Sequence, residues 1–592
     1  MKWNLTYLFE SQEAYNKAFE ELLPYLKRFA EYQGKLENEE NFKSFFLLTE
    51  EFEEKLCRVY QYASLKSDLN KKDVAASADI QKCGMLLDQF ASVTSFEEPE
   101  ILAIGYDKVM EMVNKNSELS QFKFQLEKLF RSNEHVLDAA KEKLLANFNP
   151  LVGAGGDLYS MLSVADGTPK EIKLQGKKVM VTQGNWRSLI TEASNAKDRK
   201  KIFEALYKYY DDHKNTYAGI YEEVMKGAKA TSESRNYPSI LDSYLFKNNI
   251  PTEVYTNLVK VASTKNSALK KYIKLRKEYL GISNYCSYDR FLELATSNKK
   301  YSYDDAKAIF FEAIKSTPVD FQNKAHEVLA DGFVDVYEQS GKRTGAYSSS
   351  MPNLHPFILL NYNNTLDDVF TVAHEAGHSI HSMYAAETQP TMLQDYTIFV
   401  AEIASTFNEH LLLDYFMKSS DATIDEKIML LQKAIDEIVS TFYRQTLFAD
   451  YELQVSKLAE ENQPINHEVL SNIMIKLYKK YYGMNIVKEK YKQFVWAYIP
   501  HLFYTPFYVY QYATSFAASF KLYKNVKENV PNAFENYVNL LKSGGSKYPV
   551  DQAKEAGVDF TKTDAFLAVV ERMEELVDEL EVLLKERKNG QL

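Results

Sequence analysis

The pentapeptide His374-Glu-Ala-Gly-His378 constrains the fold first, because its chemistry exists only on a helix. Helical positions four apart share a face, so His374 and His378 can aim their imidazoles at one metal ion. Glu375 sits beside them, off the ligand axis, where it can take a proton from a water activated by that metal. This is the working geometry of a zinc-dependent peptidase. The chain supplies its own control. Three of its ten histidines precede glutamate, at His326, His374 and His467, and four residues on the other two have Ala330 and Ser471. The competing reading is a chance pair on a surface helix, which so rare a residue makes the weaker one.

The surroundings fit a helix with a defined start. Phe357-Ile-Leu-Leu-Asn-Tyr362 reads as a buried or edge strand, and Asn363-Asn364 supplies turn chemistry. Thr365 and Asp368 have capping-box spacing, with aspartate in place of the usual glutamate or glutamine. Val369, Val372, Ala373, Ala376, Ile380 and Met383 then recur at helical spacing. Gly377 weakens such a helix relative to alanine. Close approach by another element is the expected reason.

A catalytic zinc site takes three protein ligands and keeps one open position. The long metzincin pattern would place glycine at 381 and histidine at 384, and this chain has His381 and Tyr384. His381 shares the face of His374 but lies roughly 4.5 Å beyond His378 along a helix rising about 1.5 Å per residue. It reads as an outer-shell or packing residue. The alternative third ligand is a carboxylate on a second helix beyond Pro390, in Phe399-Val-Ala-Glu-Ile-Ala-Ser-Thr-Phe-Asn-Glu409. An antiparallel helix there can return Glu402 to the metal. Glu409, two turns on, suits an outer-shell role, and Ser405 and Thr406 are nearer candidates for one. Glu387 is too close to the end of the first helix to fold back easily. A solvated helix carboxylate is the competing reading of Glu402, and its apolar neighbours argue against it.

His374-Glu-Ala-Gly-His378 followed by Phe399-Val-Ala-Glu402-Ile-Ala-Ser-Thr resembles the thimet-oligopeptidase (M3) family of zinc metallopeptidases, and its oligoendopeptidase F branch most of all. Gly341-Lys-Arg-Thr-Gly-Ala-Tyr347, His355-Pro-Phe and the stretch from His501 through Thr514 are similar to that branch too. So are the opening Trp3-Asn-Leu-Thr-Tyr-Leu-Phe9 and Gly176-Lys-Lys-Val-Met-Val-Thr-Gln183. The resemblance implies one zinc ion per chain held by His374, His378 and Glu402, with Glu375 as catalytic carboxylate. It also implies two helical lobes around a deep substrate channel with the zinc at its floor.

A second constellation is His501-Leu-Phe-Tyr-Thr-Pro-Phe-Tyr-Val-Tyr-Gln-Tyr512. Peptide hydrolysis builds negative charge on the former carbonyl oxygen, and a fixed donor there lowers the barrier. A phenol suits the task, since it donates a hydrogen bond while neutral at pH 7. In the resembled family a histidine and a tyrosine from such a segment face the zinc. Tyr512 and His501 match best, with Tyr508 and Tyr510 as weaker candidates for substrate contact. With 42 tyrosines in the chain, packing is the competing reading. His355 and the loop containing Gly341 and Gly345 precede the strand leading to the motif. They are candidates for substrate binding, since a neighbouring strand can pair with an extended peptide and glycines permit close approach. An ordinary turn is the other reading.

At 592 residues, two or more lobes are expected. The charge of −11 is modest, and its cations form no stripe, which leaves a nucleic-acid role little support. Cys57, Cys83 and Cys286 form no ligand pattern and suit a reducing compartment. No apolar leader opens the chain and no run approaches a membrane span, so a cytoplasmic protein is expected. Amphipathic helix is predicted over 11–32, 39–68, 72–93, 118–147, 194–232, 252–280, 303–330, 425–461 and 563–588. Asp166-Gly-Thr-Pro169 and the hairpin-like segment from Ile172 to Val181 mark the clearest break. They divide a helical region, 1–185, from a catalytic region, 186–592. Gly153-Ala-Gly-Gly156 reads as a flexible turn. The expected fold is mainly α, with a small β-sheet beside the active-site helix.

The sequence thus points to a zinc endopeptidase acting on short, unfolded oligopeptides. Its nearest rival is a carboxypeptidase or dipeptidyl carboxypeptidase, which would need a group to capture the substrate's terminal carboxylate. A non-catalytic peptide-binding scaffold would show damaged site residues, and here all are intact. The sequence gives no oligomeric state.

Overall fold

The structure, a computed structural model, describes residues 2–590. It divides into two compact units, each assembled from three stretches of chain. The first takes residues up to Glu134, Lys299–Tyr415 and Leu522–Gly557; the second takes His135–Asn298, Phe416–Lys521 and residues from Val558 onward. The division expected after residue 185 falls inside the second unit, and the N-terminal helices share a unit with the His374 helix.

In the first unit the reason is a shared core. The helix Glu39–Leu69 carries Phe42, Phe45, Phe46 and Phe52 on its buried side, and Asn38 caps it by accepting from the Asn41 amide. Helices Gln12–Ala30 and Val74–Val93 pack against it. Phe357 and Leu359, far away in sequence, complete the same apolar cluster. Trp3 Nε1 donates to the carbonyl of Ile358 at 2.8 Å. Composition along the chain gives no hint of such a pairing.

That cluster takes in one strand of a three-stranded sheet. Strand β5 (Phe357–Leu359), fully buried, lies between parallel β3 (Val334–Asp335) and antiparallel β4 (Tyr347–Ser349). The register pairs Tyr347 with Leu359 and Ser349 with Phe357. The run expected as a buried or edge strand is therefore the centre of the sheet, and β4 is an outer strand.

The motif helix, Leu366–Thr388, starts at the capping box the sequence gives: Thr365 Oγ1 accepts from Asp368 N, and Asp368 Oδ2 accepts from Thr365 N at 2.8 Å. The glutamate helix, Ile398–Lys418, crosses it at Gly377. A Cβ on Gly377 would stand 2.5 Å from the Ala404 carbonyl oxygen and 2.6 Å from Ser405 Cα. Both neighbours are backbone, so the contact tolerates no side chain.

In the second unit the expected hairpin is present as β1 (Lys170–Leu174) and β2 (Lys177–Val181), turned by Gln175 and Gly176 at φ 49° and 84°. Several predicted long helices are pairs: 194–232 breaks at His213 and 252–280 at Lys265–Asn266. Stretch 425–461 instead runs on through a π-helical segment, Ile438–Tyr443. The glycine cluster expected as a turn lies within the helix Asn149–Ser160. A Cβ on Gly155 would meet Val224 Cγ2 at 2.5 Å, so glycine serves close helix packing there. Among the described residues no helix is long and apolar enough to cross a membrane.

Gly377→Ala should lower the stability of the protein by about 1–3 kcal/mol, the usual penalty for overpacking. A reduced Tm together with a reduced capacity for bound metal is the expected result.

Candidate active site

Two turns of the motif helix and two of the glutamate helix build a compact donor set in the first unit. His374 Nε2 and His378 Nε2 are 3.2 Å apart, and each lies 3.4 Å from Glu402 Oε2. Donors held about 2.0–2.1 Å from one ion at tetrahedral angles stand about 3.3–3.4 Å apart. Among the described residues these three form the group that could hold a metal ion. The fit is set by side-chain geometry and by the identity of the donors, two imidazoles and one carboxylate.

The next layer fixes their orientation. His374 Nδ1 donates to Glu409 Oε1 at 2.6 Å. In the neutral ring that bond leaves the lone pair on Nε2, the atom that points at the other donors. Ser405 Oγ donates to Glu402 Oε2 at 2.8 Å, and Thr406 Oγ1 donates to the Glu402 carbonyl at 2.6 Å. Asn408 Nδ2 donates to Ala373 O at 3.0 Å and ties the two helices one turn from the donors.

Burial pushes the His374 imidazole down, but the bond to Glu409 and the charges of Glu409, Glu375 and Glu402 outweigh it and hold the group at about 10. Burial pushes Glu402 up, and the hydrogen bond and charge of His378 overcome that and hold it at about 2. Three carboxylates around two imidazoles favour a positive charge at their centre, which a divalent cation supplies.

Glu375 is buried, and burial raises its carboxyl above the ordinary range; His374 and His378 oppose this, while Glu402 adds to it. The Ser348 amide on β4 also bonds it. The same strand grips the motif helix through Ser348 Oγ and Ser379 Oγ at 2.8 Å. A serine preceding the motif by 26 residues carries no sequence signal for this contact, which exists because β4 lies along the helix.

His381 is not among the converging donors. It is buried, its ring stacks on Tyr396 at 3.6 Å, and neither ring nitrogen has a partner among the described residues. Burial and the charge of His378 lower it to about 3, so it stays neutral. Glu387 accepts from Lys324 at 2.6 Å, at the helix end. His355 stacks on Phe333 at 3.5 Å and meets Tyr7 edge-on, in the aromatic core around β5. Gly345 has φ 85° and its carbonyl accepts from Asn361 at 2.7 Å; the Gly341 carbonyl accepts from the Lys71 amide at 2.7 Å.

The tyrosine-rich segment belongs to the second unit. His501, Tyr508 and Tyr512 form one group of rings: His501 stacks on Tyr508 at 5.9 Å and meets Tyr512 edge-on at 6.1 Å. Burial lowers the His501 imidazole below its ordinary value. Tyr510 is apart from them, buried against Tyr255 at 5.0 Å. No sequence pattern marks Glu452, whose Oε1 accepts from the Phe507 amide at 2.7 Å. Phe507 has φ 58°, a strained value for a bulky residue, at the turn that leads into Tyr508. Glu452 is 1% exposed and burial raises it to about 8.

Comparison with known proteins assigns these parts to one class. The profile of peptidase family M3 matches residues 189–572, and that of oligopeptidase F matches 100–168. The chain belongs to peptidase family M3, within its oligoendopeptidase F relatives. It is 35% identical to oligopeptidase PepF of Bacillus subtilis (strain 168), over 99% of this chain and 88% of that protein. It is 36% identical to an oligoendopeptidase F homolog of Borreliella burgdorferi, over 95% of this chain and 94% of that one. Among solved structures, oligoendopeptidase-F from Enterococcus faecium superposes with a TM-score of 0.75 at 28% identity, covering 97% of this chain and 99% of that one.

Removing Glu409 tests the orienting bond: Glu409→Ala should weaken metal binding about 10–100-fold, measured by competition with a chelator, while the fold persists. Glu452→Leu leaves the Phe507 amide unpaired and should destabilise the protein by about 1–3 kcal/mol. Because its folded-state pKa is raised, Glu452 contributes stability below the ordinary carboxylate value that is lost as pH rises toward about 8. Glu452→Gln should therefore flatten the fall of Tm across that interval.

Proposed function

We propose that this protein is a zinc-dependent endopeptidase that hydrolyses internal bonds of short, unfolded oligopeptides. The observation that carries the proposal is the triangle of His374, His378 and Glu402 donor atoms, with edges of 3.2–3.4 Å, in a chain of family M3. Zinc held by these three residues supplies Lewis acidity toward the scissile carbonyl and acidifies the attacking water.

The chain's own groups do the rest. Glu375, next to the donors and raised by burial, takes the proton of the attacking water and delivers it to the departing amine. Glu409 holds His374 in one tautomer throughout. Tyr512 and His501 donate to the oxyanion of the tetrahedral intermediate, a role carried over from the family resemblance. Tyr508, in contact with both rings, belongs with them at the substrate; Tyr510, facing Tyr255, does not. The outer strand β4 offers main-chain groups to an extended peptide. Oligopeptide substrates follow from the relatives, named as oligopeptidases and oligoendopeptidases. The free cysteines suit a reducing, cytoplasmic setting.

A carboxypeptidase shares the helix motif but requires a free substrate terminus, so the decisive assay uses peptides amidated at the C-terminus. Mass spectrometry should show internal cleavage by the wild type and its loss with a chelator. Glu375→Gln should lower kcat roughly 10²–10⁴-fold or more with one zinc per chain retained. Near-normal cleavage by that variant, or cutting confined to free C-termini, would overturn the assignment.

A further inference from the structure

The second unit contains a cavity of about 50 Å³ that none of the residues above lines. Four cationic side chains, Arg276, Arg290, Arg444 and Lys492, share its wall with one carboxylate, Asp436. Two of these five are already satisfied. Arg276, fully buried, donates to Tyr285 OH at 3.1 Å, to Tyr272 OH at 3.0 Å and to backbone carbonyls. Asp436 accepts from Tyr272 OH at 2.9 Å and from Gln432 at 3.3 Å.

The acids nearby are engaged elsewhere too. Asp289 pairs with Arg199 at 2.7 Å, and Glu489 accepts from the Ser287 amide and hydroxyl at 2.9 and 2.5 Å. Among the described residues, Arg290, Arg444 and Lys492 make no ion pair. Arg444 donates to the Tyr478 hydroxyl at 3.5 Å and lies 4.8 Å from the centre of the Phe448 ring, Arg290 lies 4.5 Å from the centre of the Phe291 ring, and Lys492 sits 5.2 Å from the centre of the Tyr478 ring. Lys492 is 5% exposed. Arg290 and Arg444 are half-buried and cannot shed a proton, and a charge withdrawn from water without a counter-charge is unfavourable.

Two further observations agree. Burial depresses Arg290, and the charge of Arg444 adds to it; burial also depresses Lys492, with Tyr478 opposing and Arg444 adding to the fall; the Tyr478 phenol, which burial alone would raise, is pulled below its ordinary value by Lys492 and Arg444. In addition, the π-helical segment Ile438–Tyr443 ends immediately before Arg444. Such segments interrupt a helix at a stability penalty and recur at functional sites.

We propose that this cavity binds one small inorganic anion, a halide or a tetrahedral oxyanion, between Arg290, Arg444 and Lys492 with the Tyr478 hydroxyl as a further donor. The volume has room for a few water-sized groups, which suits such an ion and excludes a nucleotide or a peptide. The ion completes the charge balance of a partly buried cluster and joins the turn Ser287–Phe291, the helix His467–Tyr482 and the start of the helix Arg444–Glu460. It acts on stability and does not depend on the peptidase assignment.

The test is thermal unfolding of the full-length protein at matched ionic strength, with chloride, phosphate or sulfate replacing gluconate at low millimolar levels where general salting effects are small. A saturable rise in Tm of roughly 2 °C or more is expected with a small anion, and the chloride and oxyanion arms identify which kind. Arg290→Gln and Arg444→Gln should abolish the rise. Equal Tm in all the salts, or a full rise retained in both variants, would overturn the proposal. Should the variants fail to fold, calorimetric titration of the wild type with phosphate and with chloride decides: a saturable one-to-one isotherm supports the site, and no saturable binding overturns it.

Discussion

The missing side chain of Gly377 lets the backbone of Ala404 and Ser405 rest directly on the motif helix, and the convergence of His374, His378 and Glu402 depends on that contact. At any larger separation Glu402 would fall short of the two imidazoles, and Glu409 would lose its bond to His374. Glycine weakens the helix that carries it. The approach it permits brings one carboxylate to the donor set and another to its back, and the bond from Asn408 to the Ala373 carbonyl holds the pair together.

Electrostatics then selects what the pocket prefers. Glu375, Glu402 and Glu409 surround His374 and His378, and the result is a strongly basic His374 beside a strongly acidic Glu402. The same field that favours a proton there favours a divalent cation. It also leaves Glu375, beside the donors, with a raised carboxyl. The sheet contributes rigidity: β5 is anchored in the aromatic core of the N-terminal helices, and β4 reaches the motif helix through Ser348.

Buried ionisable groups recur in the second unit with different consequences. Glu452 is neutralised by its surroundings and serves the backbone at Phe507, so one buried carboxyl supports a strained turn ahead of Tyr508. Arg290 and Arg444 have no comparable escape, because arginine keeps its charge, whereas burial depresses Lys492. The contrast between an acid that can lose its charge and a base that cannot is the reason one site is self-sufficient and the other calls for a counter-ion.

The sequence by itself determined the local elements: the capped helix bearing His374 and His378, the apolar strand before it, the hairpin at Lys170–Val181 and the reason for a glycine at 377. These follow from periodicity, caps and turn residues, which act over a few positions of chain. Helical character was legible over the long stretches, but four of them break, 118–147 and 303–330 as well as 194–232 at His213 and 252–280 at Asn266, and the last two breaks fall where periodicity marks no end. Only the tertiary structure decided that residues from Trp3 onward share a core with Phe357, that Gly153–Gly156 is packed helix, that Tyr510 turns inward while Tyr508 and Tyr512 meet His501, and that four cations from separate elements line one cavity. Those outcomes depend on contacts between residues hundreds of positions apart. Side-chain patterning records which face of an element is buried, and carries no record of what it is buried against.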